Sequence, residues 1–457
     1  MFSTADTIVA IATPPGRGGI GVVRLSGSSA PSIAGQLVGR RAAFRPRYAT
    51  FARLASRGDE AVGDEVVVTV FPAPASYTGE NVVEISAHGS PVVLAAILRA
   101  AVTAGARLAE PGEFTLRAFL HGKRDLVQAE AVADLIDAVT PLQARAAFDQ
   151  LEGTLTGAIA GIEARLFDLM ARLEASLDFP DEGYHFIGPE DLTASLDGIV
   201  ESIKGLLAGA DRGRLIREGA LVSVVGAPNV GKSSLFNALL NANRAIVTPM
   251  AGTTRDLLTE RVEILGLSLA LVDTAGLRET VDEIEREGVA RAQGVLRIAD
   301  LSIVVLDRSR LLGRDDWEVL TSTSDRPRVV VVNKIDLPEA WRPDDEALTV
   351  EDPVFVSARS GEGLARLAER VAATLSDAPA HRDVPLVTNL RHTRLLEESQ
   401  AALARARQAI EVSGGGVPEE CLLADLQEAV GRLQEVTGQR STEDLLRHIF
   451  DRFCIGK

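Results

Sequence analysis

The chain has 457 residues, 46% of them hydrophobic and 25% charged, a composition that suits a globular protein too long for one core. Its formal net charge of −16 argues against a basic nucleic-acid-binding chain, and the acid lies beyond residue 118, since the first 118 residues are near charge balance. Its two cysteines, Cys421 and Cys454, exclude a disulfide framework, no apolar run is long enough for a bilayer, and the N-terminus lacks a basic signal start, so a cytoplasmic protein is expected.

Taken in order, residues 1–118 alternate short β-branched runs with Gly/Pro turns. TIVAIAT, GVVRLSG, DEVVVTVF and NVVEISAHG read as strands, and PVVLAAILRAAVTAGA reads as a helix ending at Gly105. The stretch Gly16-x-Gly18-x-x-Gly21 has dinucleotide-loop spacing. It fails that test, because strand-like VVRLSG follows Gly21 where a helix is needed, and the acid expected about 20 residues on is absent. From 119 the texture turns helical, with AEAVADLIDA and the long Ala/Leu-rich run from LQARAAFDQLEG to LEASLDF. FPDEGYHFIGPED interrupts it, and PEDLTASLDGIVESIKGLLAGA resumes it with Pro189 and acids at its start.

Between 217 and 378 strands and helices alternate. ALVSVVG, LSLALVDT, LSIVVLD, RVVVVNKID and DPVFVSA are continuous Val-rich runs, as in a mostly parallel sheet buried on both faces. Residues 379–457 are helical again around SGGGVPEE. The expected architecture is therefore multidomain α+β and α/β. An α+β unit at 1–118 precedes a helical domain in two parts, 119–216 and 379–457, with an α/β domain at 217–378 inserted between them.

The inserted domain carries the chemistry. Gly226-x-x-x-x-Gly231-Lys232-Ser233 lies between a strand and a helix, the context of a phosphate loop. There Asn229, Val230, Gly231, Lys232, Ser233 and Ser234 would face the phosphates, with the Ser233 hydroxyl on Mg²⁺. Asp273-Thr274-Ala275-Gly276 ends the next strand, where Asp273 suits the Mg²⁺ shell and the Gly276 N–H suits the γ-phosphate. Asn333-Lys334-Ile335-Asp336 supplies a carboxylate that accepts two hydrogen bonds from guanine N1–H and N2–H₂, a pair adenine lacks. Ser357-Ala358-Arg359 can offer a backbone N–H to guanine O6. All four motifs end strands, where open α/β sheets bind ligands, and their order is that of a GTPase binding GTP and GDP.

Leu277 occupies the position at which a Ras-like enzyme orients water with Gln. Two substitutes stand open. A monovalent cation between Asn229 and the first-switch segment TPMAGTTRD (Thr248, Pro249, Met250, Ala251, Gly252, Thr253, Thr254, Arg255, Asp256) can stabilise charge. A carboxylate from the acidic run at 282–287 can orient water, although such a run is also an ordinary solvated helix start.

Asn in the phosphate loop, GTTRD in the first switch and Leu after DTAG resemble the TrmE–Era–Era-like GTPases. DTIVAIATPPGRGGIGVVRLSG, FLHGKRDLVQAEAVADLIDA and the terminal FCIGK narrow the resemblance to the MnmE (TrmE) family of tRNA-modification GTPases, over the whole chain. The resemblance implies a K⁺-dependent GTPase activated by dimerisation of its GTPase domains. With an FAD-containing MnmG-type partner, in a heterotetramer, it would add an aminomethyl-type group to carbon 5 of the tRNA wobble uridine. It implies K⁺ ligands Asn229, Thr248, Met250 and Thr253, Mg²⁺ ligands Ser233 and Thr254, and a catalytic Glu285, and places Arg255 and Arg278 in the switches. It also implies that the N-terminal domain forms the homodimer and binds 5-formyl- or methylene-tetrahydrofolate through Arg24, Glu84, Lys123 and Lys457. His121 and Arg124 depart from the family, which commonly shows Asn and an apolar residue there. Cys454 has two readings, a reactive thiol near Lys457 or a small buried apolar residue. The competing functional reading, an Era-like ribosome-assembly switch, requires a basic RNA-binding domain, and the residues after 377 are acidic and helical.

Overall fold

The computed structural model describes residues 5–54, 63–178, 188–242, 244–245, 259–273, 298–342, 352–375, 385–413 and 419–456. The chain forms two compact units, one of residues 1–133, 151–156 and 431–457, the other of 134–150 and 157–430.

The first unit is built on a six-stranded sheet. Its strands are β1 (Ile8–Ile11), β2 (Gly18–Ser26), β3 (Thr50–Arg53), β4 (Glu65–Phe71), β5 (Val82–Gly89) and β6 (Arg107–Leu108), in the order β3-β4-β5-β2-β1-β6. Neighbours are antiparallel except β1 and β6. Strict alternation in β4 turns Val66, Val68 and Val70 to the core. Helices α1 (Ala30–Leu37) and α2 (Pro91–Thr103) supply Ile33, Leu94 and Ile97 to the same core. Gly18 and Gly21 of the first glycine stretch lie in β2, with Gly16 just before it, and the pairing with β5 shifts register between Gly18 and Gly21. A Cβ on Gly21 would stand 2.5 Å from the Leu94 side chain. That glycine therefore permits close packing of strand against helix.

A second core of this unit joins α3 (Glu113–Leu120) and α4 (Leu126–Asp137) to the C-terminal helix α14 (Glu443–Phe450). Leu116, Leu126, Ala129, Leu446, Phe450 and Phe453 pack there. Residues 431–457 thus share a unit with the N-terminal sheet, although they are helical like the segment before them.

The long helix-spaced run expected after residue 140 is divided within residues 151–156, which belong to the first unit. Helix α5 (Pro141–Leu151) ends before Gly153, whose φ of +83° stops the helix, and α6 (Thr154–Asp178) begins anew. Helices α7 (Pro189–Leu207) and α8 (Ala210–Glu218) lead into a seven-stranded sheet. Its strands are β7 (Ala220–Val225), β8 (Arg244–Ala245), β9 (Thr259–Ile264), β10 (Leu267–Asp273), β11 (Leu301–Asp307), β12 (Arg328–Asn333) and β13 (Val354–Phe355). The order is β13-β12-β11-β7-β10-β9-β8, with β8 and β9 the antiparallel additions. The expected strand DPVFVSA is reduced to Val354–Phe355. Every residue of β11 is buried, because apolar clusters cover both faces of the sheet.

Helices α9 (Lys232–Ala242) and α10 (Arg314–Ser322) connect strands, α11 (Leu364–Leu375) follows β13, and α12 (Leu390–Ser413) packs on α7. Helix α13 (Glu419–Thr437) follows α12 in the chain. Among the described residues, no helix is long and apolar enough to cross a membrane.

Candidate guanine-nucleotide site and the N-terminal charge cluster

Strand β7 sits between β10 and β11, so the sheet reverses its direction of growth there. The crevice beyond the carboxyl end of such a strand is where open α/β sheets take ligands. The loop from β7 to α9 lies in that crevice and needs Gly231 at φ +97°. A Cβ on Gly231 would collide with the Asn333 side-chain amide. Lys232 Nζ donates to the Ala227 carbonyl across the loop at 2.9 Å. Ser233 and Ser234 are exposed at the start of α9, whose N-terminal N–H groups favour an anion.

The guanine motifs are fastened to this loop. Asn333, buried at the end of β12, donates from Nδ2 to the Val230 carbonyl at 2.9 Å. Its Oδ1 accepts from the Ala358 N–H at 3.1 Å. One side chain therefore joins three loops. Lys334 Nζ donates to the Asn229 carbonyl at 2.8 Å and to Asp307 Oδ2 at 2.6 Å. Ser357 Oγ donates to Asp336 Oδ1 at 2.7 Å, which aims an exposed carboxylate. Asn229 is exposed in the left-handed region at φ +62°. Arg359 is exposed.

Sequence reading missed Asp307. It ends β11, its carboxylate is nearly buried, and its carbonyl accepts from Trp341 Nε1 at 2.8 Å. Burial pulls its carboxyl up, but hydrogen bonds from Lys334 and Ser309 outweigh this and hold it below its ordinary value. An acid closing the otherwise apolar run LSIVVLD was the available signal. Asp273 ends β10 beside Val224 of β7, as the motif order requires. Thr248, Pro249, Met250, Ala251, Gly252, Thr253, Thr254, Arg255, Thr274, Ala275, Gly276, Leu277, Arg278 and Glu285 lie outside the described residues.

The first unit holds a different kind of cluster. Arg24 on β2 and Glu84 on β5 are cross-strand partners. Arg24 Nε and Nη2 donate to Glu84 Oε1 at 3.0 and 2.8 Å, and Nη1 donates to the Gly456 carbonyl at 3.3 Å. The Arg24 guanidinium lies 5.4 Å from the Tyr77 ring centre and 5.8 Å from that of Phe114. Arg124 stands 5.5 Å from the Tyr77 ring, and Tyr77 Oη pairs with Thr115 Oγ1 at 2.9 Å. Lys123 is exposed, and its γ-carbon borders Gly79 together with the β- and γ-carbons of His121, whose Nδ1 pairs with the Thr78 carbonyl at 2.8 Å. A bridge between Pro111 and Ile455 and a bond from Gly112 N–H to the Cys454 carbonyl at 3.4 Å hold the C-terminal residues here. Cys454 is exposed, so the reading of it as a buried apolar residue fails. Lys457 lies outside the described residues.

Arg117 anchors this cluster from within. Its side chain is 1% exposed, yet it reaches three carboxylates: Asp6 at 2.6 Å, Glu113 at 3.0 Å and Glu80 at 3.1 Å. Glu80 in turn accepts from Ser26 Oγ at 2.6 Å. Burial raises the Asp6 and Glu113 carboxyls, but the bonds from Arg107 and Arg117 prevail and hold both below their ordinary values. Among the described residues no group of three or more His, Cys, Asp and Glu gathers as a metal site.

Comparison with known proteins agrees along the chain. The model of the GTP-binding protein TrmE N-terminus matches residues 7–123, and that of the MnmE helical domain matches residues 126–454. The tRNA modification GTPase MnmE of Koribacter versatilis is 43% identical over 456 residues, 99% of each chain. That of Aquifex aeolicus is 43% identical over 453 residues, covering 99% of this chain and 100% of the relative. That of Chloroflexus aurantiacus is 44% identical over 463 residues, covering 99% and 100%. Identity at this level over full length shows that the chain belongs to the MnmE family of tRNA-modification GTPases.

Proposed function

We propose that this chain hydrolyses GTP in order to drive modification of tRNA. The observation that carries the GTP reading is the cross-bracing of the phosphate loop to both guanine motifs through Asn333 and Lys334. The phosphate loop would hold the phosphates with its backbone N–H groups and Lys232, while Asp336 would read the guanine edge. The Gly231 cradle and the exposed Ser233 hydroxyl suit a Mg²⁺–phosphate group, with Thr254 as the further ligand. The exposed left-handed Asn229 suits a K⁺ ligand, with Thr248, Met250 and Thr253. That cation would offset charge where Leu277 cannot, and Glu285 would orient the attacking water.

The finer reading assigns residues 1–118 to homodimerisation and tetrahydrofolate binding, 119–216 and 379–457 to the helical domain, and 217–378 to the GTPase domain. A cationic Arg24, a carboxylate at Glu84 and the Tyr77 ring suit a folate, which has an amide–amine edge, flat rings and an anionic tail. When bound, the 5-formyl- or methylene-tetrahydrofolate would supply the one-carbon unit, and Arg24, Glu84, Lys123 and Lys457 would hold and orient it. The exposed Cys454 beside this cluster is a candidate reactive thiol. An FAD-containing MnmG-type protein would be the partner, and the product an aminomethyl-type group at carbon 5 of the wobble uridine. The cytoplasm, where such tRNA is found, would be its location.

Nucleoside mass spectrometry of total tRNA from cells lacking the protein tests this reading. Loss of the carbon-5 aminomethyl-type uridine is expected. An unchanged tRNA profile with accumulated precursor ribosomal RNA would favour the Era-like alternative. For the cation, GTP turnover should be much faster in K⁺ than in Na⁺ at equal ionic strength, and Asn229→Ala should remove the difference. Equal wild-type rates in the two salts would eliminate K⁺ from the mechanism.

A further inference from the structure

Five non-glycine residues among those described have positive φ. Two of them, Asn229 at +62° and Lys334 at +65°, are joined by the bond from Lys334 Nζ to the Asn229 carbonyl. Such backbone positions persist where their surroundings hold them. What holds the Lys334 ammonium is Asp307. Its Oδ2 takes Lys334 at 2.6 Å, and its Oδ1 takes the Ser309 N–H at 2.8 Å and the Ser309 hydroxyl at 2.6 Å. The carboxylate is 4% exposed and Arg310 lies 3.9 Å away, so it is fixed in place and partly balanced by a second cation.

We infer that Asp307 is a positioning residue for guanine-nucleotide retention, acting through Lys334. It aims the ammonium at the Asn229 carbonyl and so clamps the left-handed turn of the phosphate loop against the NKID loop. Without that charge the ammonium is free to swing to solvent. The bond between the loops then opens, and the nucleotide between them leaves sooner. Asp307 touches no nucleotide atom in this scheme, so its effect must vanish when Lys334 is gone. A merely structural role would add to the loss of Lys334 instead.

The test is release of N-methylanthraniloyl-GDP from the full-length chain, followed by stopped flow, in wild type, Asp307→Asn, Lys334→Ala and the double variant. Replacing a charge-assisted bond by a neutral one should speed release by about tenfold or more in Asp307→Asn. In the Lys334→Ala background the same change should add less than about twofold. Wild-type release in Asp307→Asn, or equal acceleration in both backgrounds, overturns the inference. If Asp307→Asn does not fold, Ser309→Ala removes one bond from the same carboxylate. It should speed release by about two- to fivefold, again only when Lys334 is present, and an unchanged rate is the overturning result. The inference rests on guanine-nucleotide binding at this site. Failure of the wild-type chain to bind GDP would therefore defeat that reading itself, and is distinct from either result above.

Discussion

The two candidate sites are held together in different ways. In the second unit, Asn333 and Lys334 reach backbone groups of neighbouring loops and sew those loops to one another, with the Lys334–Asp307 ion pair behind them. In the first, charge faces charge: Arg24 meets Glu84, and a buried Arg117 is shared by Asp6, Glu80 and Glu113. A loop site tied through the backbone depends on short contiguous motifs. A charge cluster is assembled from residues scattered along the chain, here from Asp6 to Gly456. The contiguous motifs of the first kind can be read from the residues themselves, whereas Arg24 and Glu84 of the second were named only through family resemblance.

The sharpest way to break the contrast is at Asp336. If its carboxylate selects guanine by two hydrogen bonds, Asp336→Asn should lower GTP turnover by roughly 10³-fold or more and restore turnover with xanthosine triphosphate. Steady-state kinetics with both nucleotides decide this, and retained GTP preference would remove Asp336 from base recognition.

Next in size is Arg117→Leu, which takes the cation from Glu80 and leaves Asp6 and Glu113 with Arg107 alone. It should cost about 3–5 kcal/mol of stability, measured by urea unfolding. The same cluster predicts acid sensitivity. Asp6 and Glu113 are held below their ordinary values of 3.8 and 4.5, so their contribution is complete above those values. It is lost as pH falls through the lower folded values. The wild-type chain should lose stability on going below about pH 4, and Arg117→Leu should show a shallower loss, because its carboxyls are less depressed.

Arg24→Ala addresses the role of the cluster rather than its strength. Affinity for 5-formyltetrahydrofolate should fall by roughly 10- to 100-fold in calorimetric titration. An unchanged affinity would make the Arg24–Glu84 pair a cross-strand brace only.

The smallest expected effect comes from a carboxylate with no such partner. Glu163 is 7% exposed, burial raises its carboxyl, and Oε1 meets no hydrogen-bond donor among the described residues. A raised folded value means that ionisation at neutral pH costs stability. Glu163→Gln should therefore stabilise the chain by about 1 kcal/mol at pH 7, with a smaller gain at pH 4, in thermal melts at both pH values.

Legibility followed local periodicity. β7, β10, β11 and β12 were plain because Val-rich runs buried on both faces carry their own signal, and α2 and α7 because Pro stands at their starts. The edge strands β3, β6 and β8, and β9 next to the edge, were not read, since segments at or beside a sheet edge take their pairing from the sheet. The assignment of residues 431–457 to the first unit was equally hidden, because helical periodicity shows that α14 has an apolar face but not which core it meets. At the nucleotide site the phosphate loop and NKID motif were legible. Asp307 was not, because its role depends on a contact with Lys334 across neighbouring strands.

The central claim is that GTP hydrolysis at this loop drives tRNA modification. Its most direct test is mass spectrometry of tRNA nucleosides from a deletion strain carrying either the wild-type chain or Lys232→Ala at matched protein levels. The account predicts that wild type restores the carbon-5 aminomethyl-type wobble uridine and that Lys232→Ala leaves it absent. Full restoration by Lys232→Ala would contradict it.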